Sequence, residues 1–294
     1  MHYNGSIVRP PTHADSVFIE TTVGCSHDKC TFCNFYKGYP FRAVPLSQIE
    51  EDLKEASKIR PNAKKIWASG GNPYTLNTNK LLQIAELFKK YLPKATTTTY
   101  THIKDIKKKS LEEIKQLKEA GFVELVIGVE SADDEVLKAV NKGYTAADVL
   151  EQCTKLEAAG VEYGLIYLSG LSEAGKNLQS VRTSLETINK LSPIRIYYTT
   201  VAVVPDTKMY EDMRSGKFKE AGELERIEEM REFVAGTKIE TEIYALTSTN
   251  AVPLVANMPE DRDEVLAYLD EVIANFTEFD EIKLAKSRAK MTRV

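Results

Sequence analysis

Short β-like runs alternate with longer amphipathic stretches along this 294-residue chain, and no other feature restricts the fold as strongly. Residues 17–23 (VFIETTV) and 65–69 (KIWAS) are rich in β-branched and apolar residues, whereas residues 47–60 and 79–91 repeat apolar residues at helical spacing. About six such units follow one another, and strands joined by helices form parallel sheets with right-handed crossovers. Six units fall short of a closed TIM barrel. We therefore predict an α/β fold, a partial (β/α)6 TIM-like barrel with a short C-terminal extension; an open doubly wound sheet is the alternative.

The same patterns predict the domain limits and some local features. Residues 1–239 are expected to form one core domain, and residues 240–294 a C-terminal extension that packs on it. Ser47 and Glu50 fit a capping box at the start of the first long helix. The Lys- and Arg-rich end of the chain is interpreted as a solvated tail. In either fold, functional groups are expected at the carboxyl ends of the strands.

Composition and charge restrict the partners. The formal net charge of -4, from 39 basic and 43 acidic residues, gives no general attraction to nucleic acid. The first residues lack the charged start and apolar core of a secretion signal, and the longest apolar runs are too short to span a membrane. We therefore expect a cytoplasmic protein with neither a membrane nor nucleic acid as its partner.

Three of the four cysteines fall within nine residues, directly after the first predicted strand. Cys25, Cys30 and Cys33 could hold three irons of a 4Fe–4S cluster and leave the fourth iron open to a small ligand. His27 allows a second interpretation, a zinc site of three cysteines and one histidine. Cys153 lies in the middle of a predicted helix among apolar residues and is expected to belong to the core.

The cysteine loop and the segments after it resemble the radical S-adenosylmethionine (SAM) superfamily. The loop reads CSHDKCTFC, with four and then two residues between the cysteines, whereas the family typically has three and then two. Phe32 stands at the family's aromatic position before the third cysteine. Gly70, Gly71 and Asn72 stand where the family has Gly-Gly-Glu, so a carboxamide replaces the carboxylate that receives the methionine ammonium of SAM.

Later segments resemble the branch of this superfamily that contains YgiQ-like proteins and coproporphyrinogen-type enzymes. The matching segments, in family order, are residues 126–131 (VIGVES), 141–145 (NKGYT), 167–173 (YLSGLSE) and 204–210 (VPDTKMY). The resemblance implies the cluster ligands Cys25, Cys30 and Cys33, and the cofactor-binding residues Phe32, Gly70, Gly71, Asn72, Glu130, Ser131, Lys142 and Tyr167. It assigns no catalytic residue. Tyr100 and His102, on the third predicted strand, are further candidates for contact with SAM or the substrate.

The resemblance implies an enzyme with a 4Fe–4S cluster and SAM as cofactors, working without oxygen. It would reductively cleave SAM to methionine and a 5'-deoxyadenosyl radical, which takes a hydrogen atom from an unidentified small-molecule substrate. Reduction would need an electron donor such as flavodoxin or ferredoxin. The alternative function is a non-catalytic binding module that carries zinc or a cluster.

Overall fold

The computed structural model describes residues 1–5 and 7–292, and no helix among them is long and apolar enough to cross a bilayer. Its strands, numbered in chain order, are β1 (Val17–Glu20), β2 (Thr22–Val23), β3 (Arg42–Ala43), β4 (Lys65–Ser69), β5 (Thr96–Thr101), β6 (Phe122–Glu130), β7 (Glu162–Ser169), β8 (Arg195–Thr200), β9 (Thr241–Tyr244) and β10 (Val255–Met258). Its helices are α1 (Leu46–Ile59), α2 (Thr78–Tyr91), α3 (Ile103–Lys107), α4 (Leu111–Glu119), α5 (Asp134–Ala139), α6 (Ala146–Ala158), α7 (Asn177–Ile188), α8 (Lys208–Arg214), α9 (Glu223–Gly236), α10 (Arg262–Ala274) and α11 (Glu278–Arg288).

Eight strands form one sheet in the order β1-β4-β5-β6-β7-β8-β9-β10, and β2 pairs with β3 in a separate antiparallel hairpin. Strands β1, β4, β5 and β6 pair in parallel, as do β8 and β9, whereas β10 runs antiparallel to β9. Within the described residues this order follows the chain without the reversal that defines a doubly wound sheet. The predicted α/β class with a parallel sheet is confirmed, and the doubly wound alternative is wrong.

The chain divides into two compact units, and the division runs through β6 and β7. The first unit contains Met1–Asp28, Tyr36–Gly128 and Gln152–Gly164; the second contains Lys29–Phe35, Val129–Glu151 and Leu165–Val294. The predicted boundary after residue 239 falls inside the second unit, between α9 and β9, and stays a prediction. Residues 240–294 contribute two strands to the sheet as well as two helices.

Helix α1 buries Ile49, Leu53 and Ala56 and contacts β1 and α2. It begins at Leu46 with Pro45 at its N-cap, a residue whose side chain accepts no hydrogen bond, so the predicted capping box of Ser47 and Glu50 is wrong. Glu50 instead accepts hydrogen bonds from the Lys90 ammonium, at 2.8 Å, and from the Tyr91 phenol, at 2.6 Å, both at the end of α2. These bonds lower the pKa of Glu50 to about 2.

The core of the second unit lies under α7, α9 and α10. Three aromatic rings fill its centre: Tyr167 of β7, Tyr198 of β8 and Phe233 of α9, with ring centroids 4.6 to 5.5 Å apart. Aromatic groups at such separations bury large areas and add geometric preference to the packing. This core fixes the carboxyl ends of β7 and β8.

The C-terminal helix α11 is anchored in the second unit. Thr277 and Asp280 form a capping box at its start, and the guanidinium of Arg288 at its end donates to both carboxylate oxygens of Glu223, at 2.6 and 2.7 Å. Arg288 also donates to the carbonyl oxygen of Val201, at 3.2 Å, and its side chain is buried. The predicted solvated tail is therefore wrong for Arg288, because a buried carboxylate on α9 binds it, whereas the rest of α11 is exposed or only partly buried.

Candidate functional site

In the first unit, Cys25 lies against the glycine turn that follows β4. The amide of Gly71 donates to the carbonyl oxygen of Gly24, at 3.0 Å. A Cβ atom on Gly71 would lie 2.7 Å from the Cβ of Cys25, which is closer than packed carbon atoms approach. A Cβ on Gly70, whose φ is +144°, would lie 1.9 Å from the hydroxyl oxygen of Thr22. Both glycines are therefore required for this close approach, and the structure brings Cys25, Gly70 and Gly71 together.

Asn72 holds the residue that follows Cys25. Its side-chain oxygen accepts from the amide of Ser26, at 2.9 Å, and its NH₂ group donates to the hydroxyl of Ser26, at 2.7 Å. The same NH₂ group donates to a carboxylate oxygen of Asp105, at 2.6 Å, and Asn72 is buried. Both of its amide hydrogens thus have protein partners, so this carboxamide positions the cysteine loop. Its predicted contact with SAM stays a prediction.

Asp105 is a functional candidate that the sequence analysis did not identify. It lies at the third position of α3 and forms a capping box with His102, whose backbone amide donates to it, at 3.3 Å. The His102 ring stacks on His27 of the cysteine loop, with centroids 4.8 Å apart. Spacing of the capping-box type could have indicated the local bond, but not the contact with Asn72. Tyr100, the other candidate, lies on β5 and packs edge-on against Trp67. His102 was predicted on the same strand but lies just after it, at the N-cap of α3.

In the second unit, the turn from Cys30 to Cys33 closes on itself and is held at Thr31. The amide of Cys33 donates to the carbonyl of Cys30, at 3.3 Å. Thr31 donates to the carbonyl of Val140, at 3.1 Å, and its own carbonyl accepts from Met209, at 2.8 Å. Phe32 is buried in an apolar cluster against which both cysteines pack. The ring of Phe32 therefore fixes the turn by packing, and its predicted proximity to SAM stays a prediction.

Glu130 and Lys142 form an ion pair in the second unit, in which Lys142 is buried and Glu130 is partly buried. Their charged atoms lie 3.2 Å apart, and Glu130 has the left-handed φ of +65° at the end of β6. Burial alone would lower the pKa of Lys142, but electrostatic interaction with the Tyr144, Glu130 and Cys30 side chains raises it well above its usual value. The ammonium is therefore held in its charged form near a predicted cluster ligand. A strained residue and a buried charge are features typical of functional sites.

Ser131 and Tyr167, the remaining predicted cofactor residues, are bonded within the second unit. The Ser131 hydroxyl lies 3.1 Å from that of Ser184, and Tyr167 donates to Glu229, at 3.3 Å. Both side chains are buried. These contacts give Ser131 and Tyr167 structural roles, and their cofactor contacts stay predictions.

The donor chemistry fits an iron–sulfur cluster. Cys25, Cys30 and Cys33 are partly exposed, whereas Cys153 is buried, as predicted, and burial raises the pKa of its thiol. Thiolates are the usual ligands of such clusters. In the described part of the chain, no three His, Cys, Asp or Glu side chains surround a point as ligands of a single metal ion do.

Comparisons with known proteins agree with this chemistry. The family model described as "Radical SAM superfamily" matches residues 19–178, more than half of the chain. The heme chaperone HemW of Bacillus subtilis (strain 168) is 26% identical over 201 residues, which cover 66% of this chain and 52% of that protein. HemW of Lactococcus lactis subsp. lactis (strain IL1403) is 27% identical over 170 residues, covering 55% and 42%. The chain thus spans about half the length of these curated relatives.

Solved structures show the fold. Coproporphyrinogen III oxidase (HemN) from Escherichia coli superposes with a TM-score of 0.56 and 17% identity over 75% of this chain and 51% of that one. Methylornithine synthase (PylB) superposes with a TM-score of 0.52 and 16% identity over 87% and 81% of the two chains. At these identities the likeness concerns the fold alone, and it confirms the predicted partial barrel.

Proposed function

Because the chain belongs to the radical SAM superfamily, whose members use a 4Fe–4S cluster and SAM, we propose that it is an enzyme that cleaves SAM reductively. Cys25, Cys30 and Cys33 would hold the cluster. When bound, the two cofactors supply a 5'-deoxyadenosyl radical that abstracts hydrogen from a substrate. The family match across the cysteine loop and the glycine turn is the observation that carries this proposal.

The protein's own residues prepare the site. Asn72 fixes the backbone next to Cys25, and the packing of Phe32 fixes the turn that contains Cys30 and Cys33. The buried ammonium of Lys142 places a positive charge near Cys30, a predicted cluster ligand. Gly70 and Gly71 allow the turn to pack closely against Thr22 and Cys25, because neither position has room for a Cβ atom.

The substrate class rests on charge and on the absence of a nucleic-acid footprint in the sequence. A net charge of -4 and no basic excess favour a small molecule over nucleic acid. The reductant would be an acidic electron carrier such as flavodoxin or ferredoxin. The proposed location is the cytoplasm, where a reducing environment keeps the three thiols available.

A second candidate function is heme binding without catalysis. The curated relatives that the chain matches are named heme chaperones, and this agrees with the alternative of a cluster-bearing binding module. Absorbance titration with heme tests it: a saturable Soret shift at one equivalent, with no SAM cleavage by the loaded protein, would favour this function over the first.

Anaerobic assays test the main proposal. The protein is reconstituted with iron and sulfide, reduced with dithionite and mixed with SAM, and 5'-deoxyadenosine is measured. We expect about four irons per chain in the native protein and a loss of most of the cluster absorbance in Cys30→Ala. Cys153→Ala is the matched control and should keep the cluster, since this thiol is buried in α6. A full cluster in Cys30→Ala, or a loaded protein that neither binds nor cleaves SAM, would contradict the proposal.

A further inference from the structure

An exposed loop with aromatic and basic side chains follows the cysteine loop in the first unit. Residues 37–43 (KGYPFRA), here called the aromatic loop, are all exposed. Tyr39 and Phe41 expose 39% and 37% of their surfaces, although large apolar side chains are usually buried. Lys37 and Arg42 are its charged residues, and it contains no Asp or Glu. The loop therefore combines a positive charge of two with two exposed rings.

The aromatic loop has a defined turn at its start. The amide of Tyr39 donates to the carbonyl oxygen of Tyr36, at 2.9 Å, and Gly38 between them has a φ of +82°. Glycine with positive φ at the third position is typical of a type II turn. The Tyr36 ring is buried and anchors the turn, whereas no neighbouring side chain or backbone lies within 4 Å of where a side chain on Gly38 would begin. The loop is thus fixed at its base and projects at its tip.

The base of the aromatic loop lies beside the first cysteine. Strand β3 pairs with β2, so that Arg42 is opposite Val23, two residues before Cys25. A Cβ atom on Gly24 would lie 2.2 Å from the carbonyl oxygen of Tyr39 and 3.0 Å from the amide nitrogen of Phe41. The backbone of the loop therefore packs directly on the residue that precedes a predicted cluster ligand.

We propose that the aromatic loop, residues 37–43, is the docking surface for an acidic electron-carrier protein that reduces the cluster. This inference rests on the proposed function, because only a cluster that must be reduced needs such a partner. One electron passes from the carrier to the cluster, so the carrier is oxidised by one electron and the cluster is reduced by one. The carrier is a flavin or iron–sulfur protein with a negatively charged surface.

Three physical arguments favour this partner. The protein as a whole is acidic, so an acidic carrier is repelled except where positive charge is concentrated, and a basic loop beside the cluster selects a productive orientation. Exposed aromatic rings on a fixed turn lose little conformational entropy on binding and serve as anchors at protein interfaces. Docking at this place brings the carrier close to Cys25, and short distances favour electron transfer.

The first experiment measures binding by charge reversal. Oxidised flavodoxin is titrated against the cluster-loaded protein, and binding is followed by flavin fluorescence at several salt concentrations. We expect the double variant Lys37→Glu with Arg42→Glu to weaken binding by about tenfold or more and to reduce its salt dependence. The control Lys64→Glu with Lys94→Glu makes the same change in net charge. These two lysines precede the amino ends of β4 and β5, whereas the glycine turn beside Cys25 follows the carboxyl end of β4. The control should bind within about twofold of the native protein.

The second experiment separates docking from chemistry. SAM cleavage is driven either by flavodoxin hydroquinone or by dithionite, which needs no protein docking surface. We expect the aromatic-loop variant to lose most of its flavodoxin-driven rate and to keep its dithionite-driven rate. Equal binding by native and variant protein, or equal weakening in the control, would overturn the docking surface. A native protein that neither binds SAM nor cleaves it with dithionite would instead contradict the proposed function, so the two failures are distinguishable.

Discussion

At the scale of single residues, Asn72 explains how the sequence can depart from the family pattern and retain a structured site. A carboxamide can both accept from the Ser26 amide and donate to the Asp105 carboxylate, whereas a carboxylate can only accept. Asn72, on the turn after β4, and Asp105, on α3, therefore form one hydrogen-bonded pair.

Asn72→Asp should destabilise the fold, because two carboxylates would then face each other at a buried position. We expect a loss of about 3 kcal/mol in the free energy of unfolding at pH 8. The loss should shrink as the pH falls, since protonation of one carboxyl group restores a donor. Chemical denaturation at pH 5 and pH 8 measures both quantities.

The exchange variant, Asn72→Asp with Asp105→Asn, is the control for this prediction. It reverses which partner carries the charge and restores a donor opposite an acceptor. We expect it to recover most of the lost stability. Equal instability of the single and exchange variants would show that the contact between these two side chains does not explain the effect.

Glu229 is a buried carboxyl group with an unusual protonation state. Burial raises its pKa to about 8, despite a hydrogen bond from the Gly170 amide, the charge of Arg226 and the bond from Tyr167, which all act to lower it. The unfolded chain releases this proton above its ordinary pKa of 4.5, whereas the folded protein keeps it until about pH 8. The group therefore makes stability fall as the pH rises between these values, by at most about 1.4 kcal/mol per pH unit.

Glu229→Gln should flatten this pH dependence, since glutamine stays neutral in both states. Free energies of unfolding of the native protein and the variant, measured from pH 5 to pH 8.5, should therefore differ in slope. Glu240→Gln, at an exposed position, should keep the native slope. Parallel curves for the native protein and Glu229→Gln would contradict the raised pKa.

At the scale of secondary structure, α11 shows what a local pattern does not reveal. Its sequence contains a capping box and basic residues near its end, which favour a helix but do not say what the helix contacts. Its anchor is the pair of Arg288 and Glu223, two residues 65 positions apart along the chain. Helices with strong periodicity, such as α2, follow closely from the sequence. Partners at long separation do not, because nothing in the local pattern encodes them.

Arg288→Met should destabilise the fold because it leaves the Glu223 carboxylate buried without its bidentate partner. We expect a loss of about 3 kcal/mol or more in the free energy of unfolding, measured in urea. The double variant Arg288→Met with Glu223→Leu replaces the pair by apolar groups and should recover most of this loss. If the double variant is as unstable as the single one, the buried charge is not the cause.

At the scale of the whole molecule, the order of elements was predictable and the assembly of the site was predictable only in part. Alternating strand and helix patterns imply a parallel sheet, and the match of spaced motifs to one family implies the cysteine ligands. The bonds of Asn72 and the anchoring of Phe32 depend on which loops meet in space. The local sequence pattern does not show which loops contact one another. Asp105 was therefore not identified, although its capping box with His102 has a local sequence signature.

The order of the strands also determines when the site can form during synthesis. Each strand of the sheet pairs with one made shortly before it, so the sheet can grow in the direction of translation. The cysteines leave the ribosome early, but Val140 and Met209, which bond to Thr31 between Cys30 and Cys33, are made more than 100 residues later. At about 10 residues per second, these two partners are synthesised more than about ten seconds after the turn. Because the turn that holds Cys30 and Cys33 is completed only when Met209 has been made, we expect cluster insertion to follow the translation of most of the chain.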